Sequence, residues 1–252
     1  MKIGMMNNPR KDVLSEIKRA KKDFDFIDLT IQFPKAHPLA VDFNKVKKVL
    51  GNFPAVGHTD WSLPYTHPNP NIRRAATEEL VSNLKSFHKL GIKKMNVHLL
   101  PCREEFSKQY SGWLEEMFKI LVKEANKRKM VVMIENFTAD SHDISMLEYL
   151  FKHVPELRFH LDVGHAHIKN GEKGFKIFMK KFSSRLAHVH FSDNHFNDDE
   201  HIAIGSGSIN WKNVIKSLKK CGYDGTITLE VFSGTKYLLT SKKKLLDYWK
   251  KC

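Results

Sequence analysis

The sequence predicts an α/β fold: a single (β/α)8 barrel over residues 1–252, with its active site at the C-terminal ends of the strands. Three observations predict it. Strand-like and helix-like segments alternate strictly, eight times, across 252 residues, the usual length of one such barrel. The strands are near-continuous apolar runs and the helices are amphipathic, which is the pattern of parallel strands covered by helices. The third observation is negative. An open doubly wound sheet usually carries a glycine-rich turn after its first strand. Here that turn reads MNNPRKD, and neither G-x-G-x-x-G nor G-x-x-x-x-G-K-[ST] occurs anywhere in the chain.

The elements follow in order. KIGMM at 2–6 starts the barrel, and Val13, Ile17 and Ala20 share one face of a helix over 12–22. FDFIDLTI at 24–31 is the second strand, DFNKVKKVL at 42–50 a helix, and PAVGHTD at 54–60 the third strand. Ile72, Ala76, Leu80, Leu84 and Phe87 set the register of a long helix over 71–91, and Gly91 sits where its C-terminal cap belongs. KMNVHLL at 94–100, MVVMIEN at 130–136, LRFHLDV at 157–163, LAHVHFS at 186–192 and GTITLEV at 225–231 complete the strands. Helices within 104–129 and near 143–153, 174–183, 211–220 and 241–250 separate and close them.

Composition narrows the class. Hydrophobic residues at 41% and charged residues at 28% suit a soluble globular chain with a large core, not a disordered one. No run reaches the length of a membrane span, and MKIGMMNNPR lacks the apolar core of a signal peptide, so a cytoplasmic protein without a membrane partner is expected. Cys102, Cys221 and Cys252 are too few and too scattered for a disulfide framework. The formal charge of +14 suits an anionic partner such as nucleic acid. Yet 34 of the basic residues are lysines and only 8 are arginines, spread along the chain and over helix faces, a pattern that more often describes a solvated surface than a phosphate track.

Barrel enzymes build their sites at the C-terminal strand ends. Strand three ends with His58, strand four with His98 and strand five with Glu135. Strand six ends with Asp162, followed by His165. Strand seven ends with His190, with Asp199 and His201 in its loop, and strand eight with Glu230. Any one of these, taken singly, reads more readily as a core histidine or a helix cap than as a ligand. Six successive strand ends carrying only imidazoles and carboxylates do not. Such carboxylates at one mouth would repel one another without a cation, and the residue types are those that hold zinc, manganese and other divalent metals. His160 and His188, two residues before Asp162 and His190, point to the same inner face one layer deeper and are expected to be hydrogen-bonding residues of the barrel interior. A purely binding barrel with a structural metal is disfavoured, because structural zinc sites are usually closed and rich in cysteine.

These segments carry a resemblance. VGHTDW, MNVHLL, VVMIEN, HLDVGHAH, HVHFSDN with DDEHIAIGSGSINW, and GYDGTITLEVF span residues 56 to 232. Together they resemble the xylose isomerase-like TIM-barrel superfamily, which includes sugar isomerases, ketose 3-epimerases and type IV apurinic endonucleases. Resemblance to the epimerase branch implies one divalent ion held by Glu135, Asp162, His190 and Glu230. It also implies a metal-stabilised enediolate, Glu135 and Glu230 as the proton-transfer pair, and His165 on a substrate hydroxyl. The substrate would be a sugar or sugar phosphate, with Trp61, Tyr65 and Arg103 near it.

Resemblance to the endonuclease branch implies three zinc ions and DNA as substrate. His58, His98 and Glu135 would hold one ion. Glu135, Asp162, His190 and Glu230 would hold a second, and His165, Asp199 and His201 a third. The chain departs from that branch at His98-Leu-Leu-Pro101, at Phe137-Thr-Ala-Asp140 and at the arginine-free segment Gln32–His37. The expectation is therefore sugar isomerisation or epimerisation with one to three zinc or manganese ions, and abasic-site cleavage as the alternative.

Overall fold

A computed structural model describes residues 1–101 and 106–252. The elements are β1 (Lys2–Met6), α1 (Val13–Asp23), β2 (Phe26–Ile31), α2 (Phe43–Leu50), β3 (Ala55–Thr59), α3 (Pro70–Lys89), β4 (Lys94–His98) and α4 (Ser107–Asn126). They continue with β5 (Val131–Glu135), α5 (Ser141–His153), β6 (Arg158–Asp162), α6 (Val163–His167), α7 (Gly171–Phe182), β7 (Leu186–Phe191), α8 (Trp211–Lys220), β8 (Thr226–Leu229) and α9 (Thr235–Lys251). The strands pair in sequence order, all parallel, and β1 pairs with β8 to close the barrel. The expected (β/α)8 TIM barrel is the observed architecture.

Local chemistry explains the helix starts. Asp12, Asp42, Asp140 and Asn210 each accept a hydrogen bond from a backbone N–H in the first turn of α1, α2, α5 and α8, satisfying donors that the helix itself cannot. Two elements differ from the sequence expectation. The closing helix starts at Thr235, not at 241. The segment after β6 forms a five-residue helix capped by the Asp162 side chain, too short to show any periodic stripe.

The strands sort their side chains into two environments. Outward residues such as Ile27, Leu29, Val97, Ile134, Leu161, Val189 and Ile227 join the large core between barrel and helices. Inside, Phe26, Val56 and Met133 form a separate apolar plug at the N-terminal end. Above the plug the inward positions turn polar: Asp28, Asn96, His160 and Thr228, then His58, Glu135 and His190, then His98 and Asp162, every one of them buried or nearly so. Strand register sets them side by side, pairing His98 with Glu135, Glu135 with His160, and Asp162 with His190. Alternation with period two and a closed register thus deliver the site.

Helix α3 approaches β3 closely enough to require glycine. A Cβ on Gly57 would meet the Phe87 ring at 2.8 Å, and Phe87 is fully buried. Replacing Gly57 by Val is expected to overpack this contact and cost roughly 1–3 kcal/mol. Urea unfolding of the two proteins checks it, the midpoint falling in the variant.

Candidate metal centre

Glu135 ends β5, Asp162 ends β6, His190 lies in β7 and Glu230 follows β8. The four are 1%, 0%, 0% and 7% exposed. One donor atom from each lies within 4.8 Å of the others. His190 Nδ1 is 2.8 Å from Glu230 Oε2, 3.6 Å from Glu135 Oε1 and 3.8 Å from Asp162 Oδ2. Glu135 Oε1 and Asp162 Oδ2 are buried and accept no hydrogen bond among the described residues.

Burial, together with the charges of Glu135 and Glu230, pushes the Asp162 carboxyl up to about 7 against the pull of His165. Burial works against the charge on Glu135 too, but His160, His98 and His190 hold its carboxyl well below the usual range. His190 has burial against it and Glu135, Glu230 and Asp28 for it, and the carboxylates raise it well above an ordinary imidazole. Carboxylate oxygens left unpaired in a dry interior are expensive. Three carboxylates and an imidazole converging on one point fit a divalent cation.

Two further groups flank this point. His58 Nε2 and His98 Nε2 lie 3.5 and 3.4 Å from Glu135 Oε2, and their rings sit edge to face at 4.7 Å. Glu135 therefore turns one oxygen toward His190 and the other toward His58 and His98. On the other flank, Asp199 Oδ2 accepts from His165 Nε2 at 3.1 Å and lies 2.9 Å from His201 Nε2. This trio forms an ion-paired chain. His201 is raised to about 9: burial opposes its charge, but Glu230 and Asp199 outweigh it. His165 Nδ1 donates to the Asn136 carbonyl at 3.0 Å, so both its ring nitrogens are engaged. His165, expected beside a substrate hydroxyl or as a ligand with Asp199 and His201, thus stands at the mouth bonded to Asn136 and Asp199.

Loops that carry these residues are pinned by side chains. Asn136 Nδ2 donates to the Asp162 carbonyl and its Oδ1 accepts from Asp162 N, both at 2.9 Å, locking the end of β5 to the end of β6. Asp193 accepts from Gly205 N, Ile209 N and the Trp211 indole, which ties down both ends of the loop bearing Asp199 and His201. Gly207 passes so close that a Cβ would stand 2.3 Å from the Asn194 carbonyl. Gly205, Gly207, Ile209 and Trp211 thus form a loop anchor.

The remaining expectations divide. Trp61 stands in the loop after β3, 61% exposed. Tyr65 is 1% exposed and its hydroxyl donates to the His98 carbonyl at 2.6 Å. That bond fastens the loop after β3 to the end of β4. Arg103, like Cys102, lies outside the described residues. His188 bonds Thr226, Asp28 and Thr228 inside the barrel. His160, expected to hydrogen-bond there, instead has both ring nitrogens unpartnered among the described residues, with Nδ1 3.5 Å from Glu135 Oε2. Two residues that touch the converging side chains were passed over in the sequence: Asp28, bonded to His190, and Asn96, bonded to Glu135. Their signal was a charge and an amide at inward positions of apolar strands.

The chain superposes on the crystal structure of a D-tagatose 3-epimerase-like protein with a TM-score of 0.86 at 23% identity, covering 100% of this chain and 98% of that one. For D-psicose 3-epimerase from Clostridium cellulolyticum H10, solved with D-tagatose, the values are 0.78 and 17%, over 100% and 99%. For the TTHB071 protein of Thermus thermophilus, soaked with ZnCl2, they are 0.79 and 19%, over 100% and 99%. At such identities these likenesses show the fold. In sequence, the uncharacterized protein MJ1311 of Methanocaldococcus jannaschii is 41% identical over 69 residues, 27% of this chain and 24% of that protein. The uncharacterized protein MJ1614 of the same organism is 36% identical over 93 residues, 35% of each. The matches thus span about a quarter to a third of the length of these curated relatives. The family model described as xylose isomerase-like TIM barrel matches residues 8–252, and the chain belongs to that family.

Proposed function

We propose that this protein is a divalent-metal-dependent sugar isomerase or epimerase acting on a small sugar or sugar phosphate. The observation that carries the reading is the convergence of Glu135, Asp162, His190 and Glu230 on one point of the barrel mouth. A divalent cation in such a ligand set supplies Lewis-acid polarisation, which acidifies the C–H beside a carbonyl. Glu135 ends β5 and Glu230 follows β8, so the two carboxylates reach the site from different strands. One carboxylate takes the proton from one face of the substrate carbon, and for epimerisation the other returns it at the opposite face. The His165–Asp199–His201 chain holds positive charge beside Glu230, with His201 Nδ1 3.9 Å from Glu230 Oε1, and favours its ionised, proton-accepting form. Trp61 offers an aromatic face at the rim of the mouth for a sugar.

A second reading is favoured by one observation. All nine residues expected in a three-zinc endonuclease stand at this mouth, and Glu135 divides its oxygens between two of the three groups. Abasic-site cleavage in DNA is the runner-up. The lysines weigh against it, since several are spent on the fold: Lys21 and Lys219 donate to the carbonyls of Val49 and Trp249, both at 2.6 Å.

Ligand deprotonation gives the first test. Without metal, Asp162 is held near 7 and His190 above its ordinary value, so both lose protons when a cation binds. Zinc added to chelator-stripped protein in weak buffer at pH 6 should release protons. The affinity should rise steeply between pH 6 and pH 8, because protonated Asp162 competes below 7. A flat profile contradicts the assignment.

The second test runs two assays on one metal-loaded preparation. Solvent deuterium should enter the C–H beside the carbonyl of at least one ketose or ketose phosphate, and the exchange should fall at least about 100-fold in Glu135→Gln, the size of a lost general base. Salt-sensitive nicking of an abasic duplex, lost in Glu135→Gln and without any exchange, makes the endonuclease reading the correct one.

A further inference from the structure

We infer that the side-chain layer beneath the metal ligands aims them, with Asp28 presenting His190 through Nδ1 and Asn96 presenting Glu135 through Oε1. The inference rests on the divalent-cation reading of the site and adds two positioning residues to it. Asp28 on β2 and Asn96 on β4 are both completely buried. Asp28 Oδ2 accepts from His190 Nε2 at 2.7 Å, from His188 Nε2 at 3.0 Å and from Thr228 Oγ1 at 3.0 Å. An imidazole that donates through Nε2 keeps its lone pair on Nδ1. Nδ1 is the nitrogen directed at Glu230, Glu135 and Asp162. A carboxylate behind a ligating histidine also fixes the ring plane and makes the ligating nitrogen more basic.

Asn96 acts on the other key ligand. Its Nδ2 donates to Glu135 Oε2. That bond engages one carboxylate oxygen from below and leaves Oε1, unpartnered among the described residues, on the His190 side. Barrels ordinarily fill this layer with branched apolar side chains. A carboxylate here is costly unless it is well paired, so its presence calls for a role beyond packing. Simple neutralisation of His188 is the competing account. His188 already has Thr226 Oγ1 at 2.7 Å on its other nitrogen, and the shorter of the two Asp28–histidine bonds goes to His190.

The test separates charge from shape. In Asp28→Asn the amide oxygen can take the place of Oδ2, while the amide nitrogen falls where Oδ1 has no partner among the described residues. Asp28→Ala and Asn96→Ala remove the contacts outright. Zinc affinity is measured by competition with a chromophoric chelator on chelator-stripped proteins, beside their metal-free unfolding midpoints. Zinc should bind wild type, and its Kd should rise by about 10-fold in Asp28→Asn and Asn96→Ala and about 100-fold in Asp28→Ala. The metal-free midpoint of Asp28→Asn should stay near wild type, a pattern that a merely structural residue would not give. Histidine 15N spectra of the zinc-loaded wild type should show His190 metallated at Nδ1 and protonated at Nε2. Wild-type affinity in both Asp28 variants, or metallation at Nε2, overturns the inference while the metal reading stands. Failure of wild type to bind zinc overturns the metal reading itself, and this inference with it. If Asp28→Ala does not fold, Asp28→Asn and the spectra still decide.

Discussion

Carboxylates crowded inside a closed barrel dominate the physics of this protein. Asp28, Glu135, Asp162 and Glu230 are all nine-tenths or more buried. Water cannot screen them, so each charge must be met by the protein or by a bound ion. The chain meets part of the demand with imidazoles: His190 and His165 are raised despite burial because carboxylates surround them. The demand is not fully met. Asp162 climbs to about 7, driven first by burial, and two of the converging oxygens have no hydrogen-bond partner among the described residues. A cation at that point would relieve the repulsion.

Much of the surrounding architecture serves to keep those charges from moving apart. Strand register fixes their heights, and the Asn136 amide fastens β5 to β6. The Asp193 anchor holds the loop that brings Asp199 and His201 back over the mouth. Tyr65, by holding the His98 carbonyl, does the same for β4. These contacts are polar, short and largely buried, the kind that resist displacement best. The apolar plug of Phe26, Val56 and Met133 closes the barrel below them. The converging side chains are buried and tied by these bonds, while exposed side chains such as Trp61 and Leu39, 61% and 83% accessible, stand on the loops around the mouth.

The barrel was legible in the sequence because its cause is periodic: eight apolar strands, eight amphipathic helices and turn residues between them. The four converging side chains were legible for a related reason. A barrel places strand ends together, so residues distant in the chain become neighbours by topology alone. What escaped was set by contacts that no period encodes. Tyr65 reads as a mouth aromatic, and nothing periodic announces the bond of its hydroxyl to the His98 carbonyl. No pattern in the sequence pairs the two ring nitrogens of His165 with Asn136 and Asp199. Asp28 sits in FIDLTI as a single charge among apolar residues, and only closure of the barrel, which brings β2 across from β7, gives it His190 as a partner. Helix α6, five residues long, is too short for any pattern to reveal.

The central claim is that these buried carboxylates exist to hold a cation at one defined point. Anomalous diffraction from crystals of the zinc- or manganese-loaded protein tests it most directly. The account predicts a peak at bonding distance, about 2.0–2.2 Å, from Glu135, Asp162, His190 and Glu230 together. Metal found only elsewhere, for example at the Asp140, His142 and Asp143 cluster at the start of α5, or no peak in the barrel mouth at all, would contradict it.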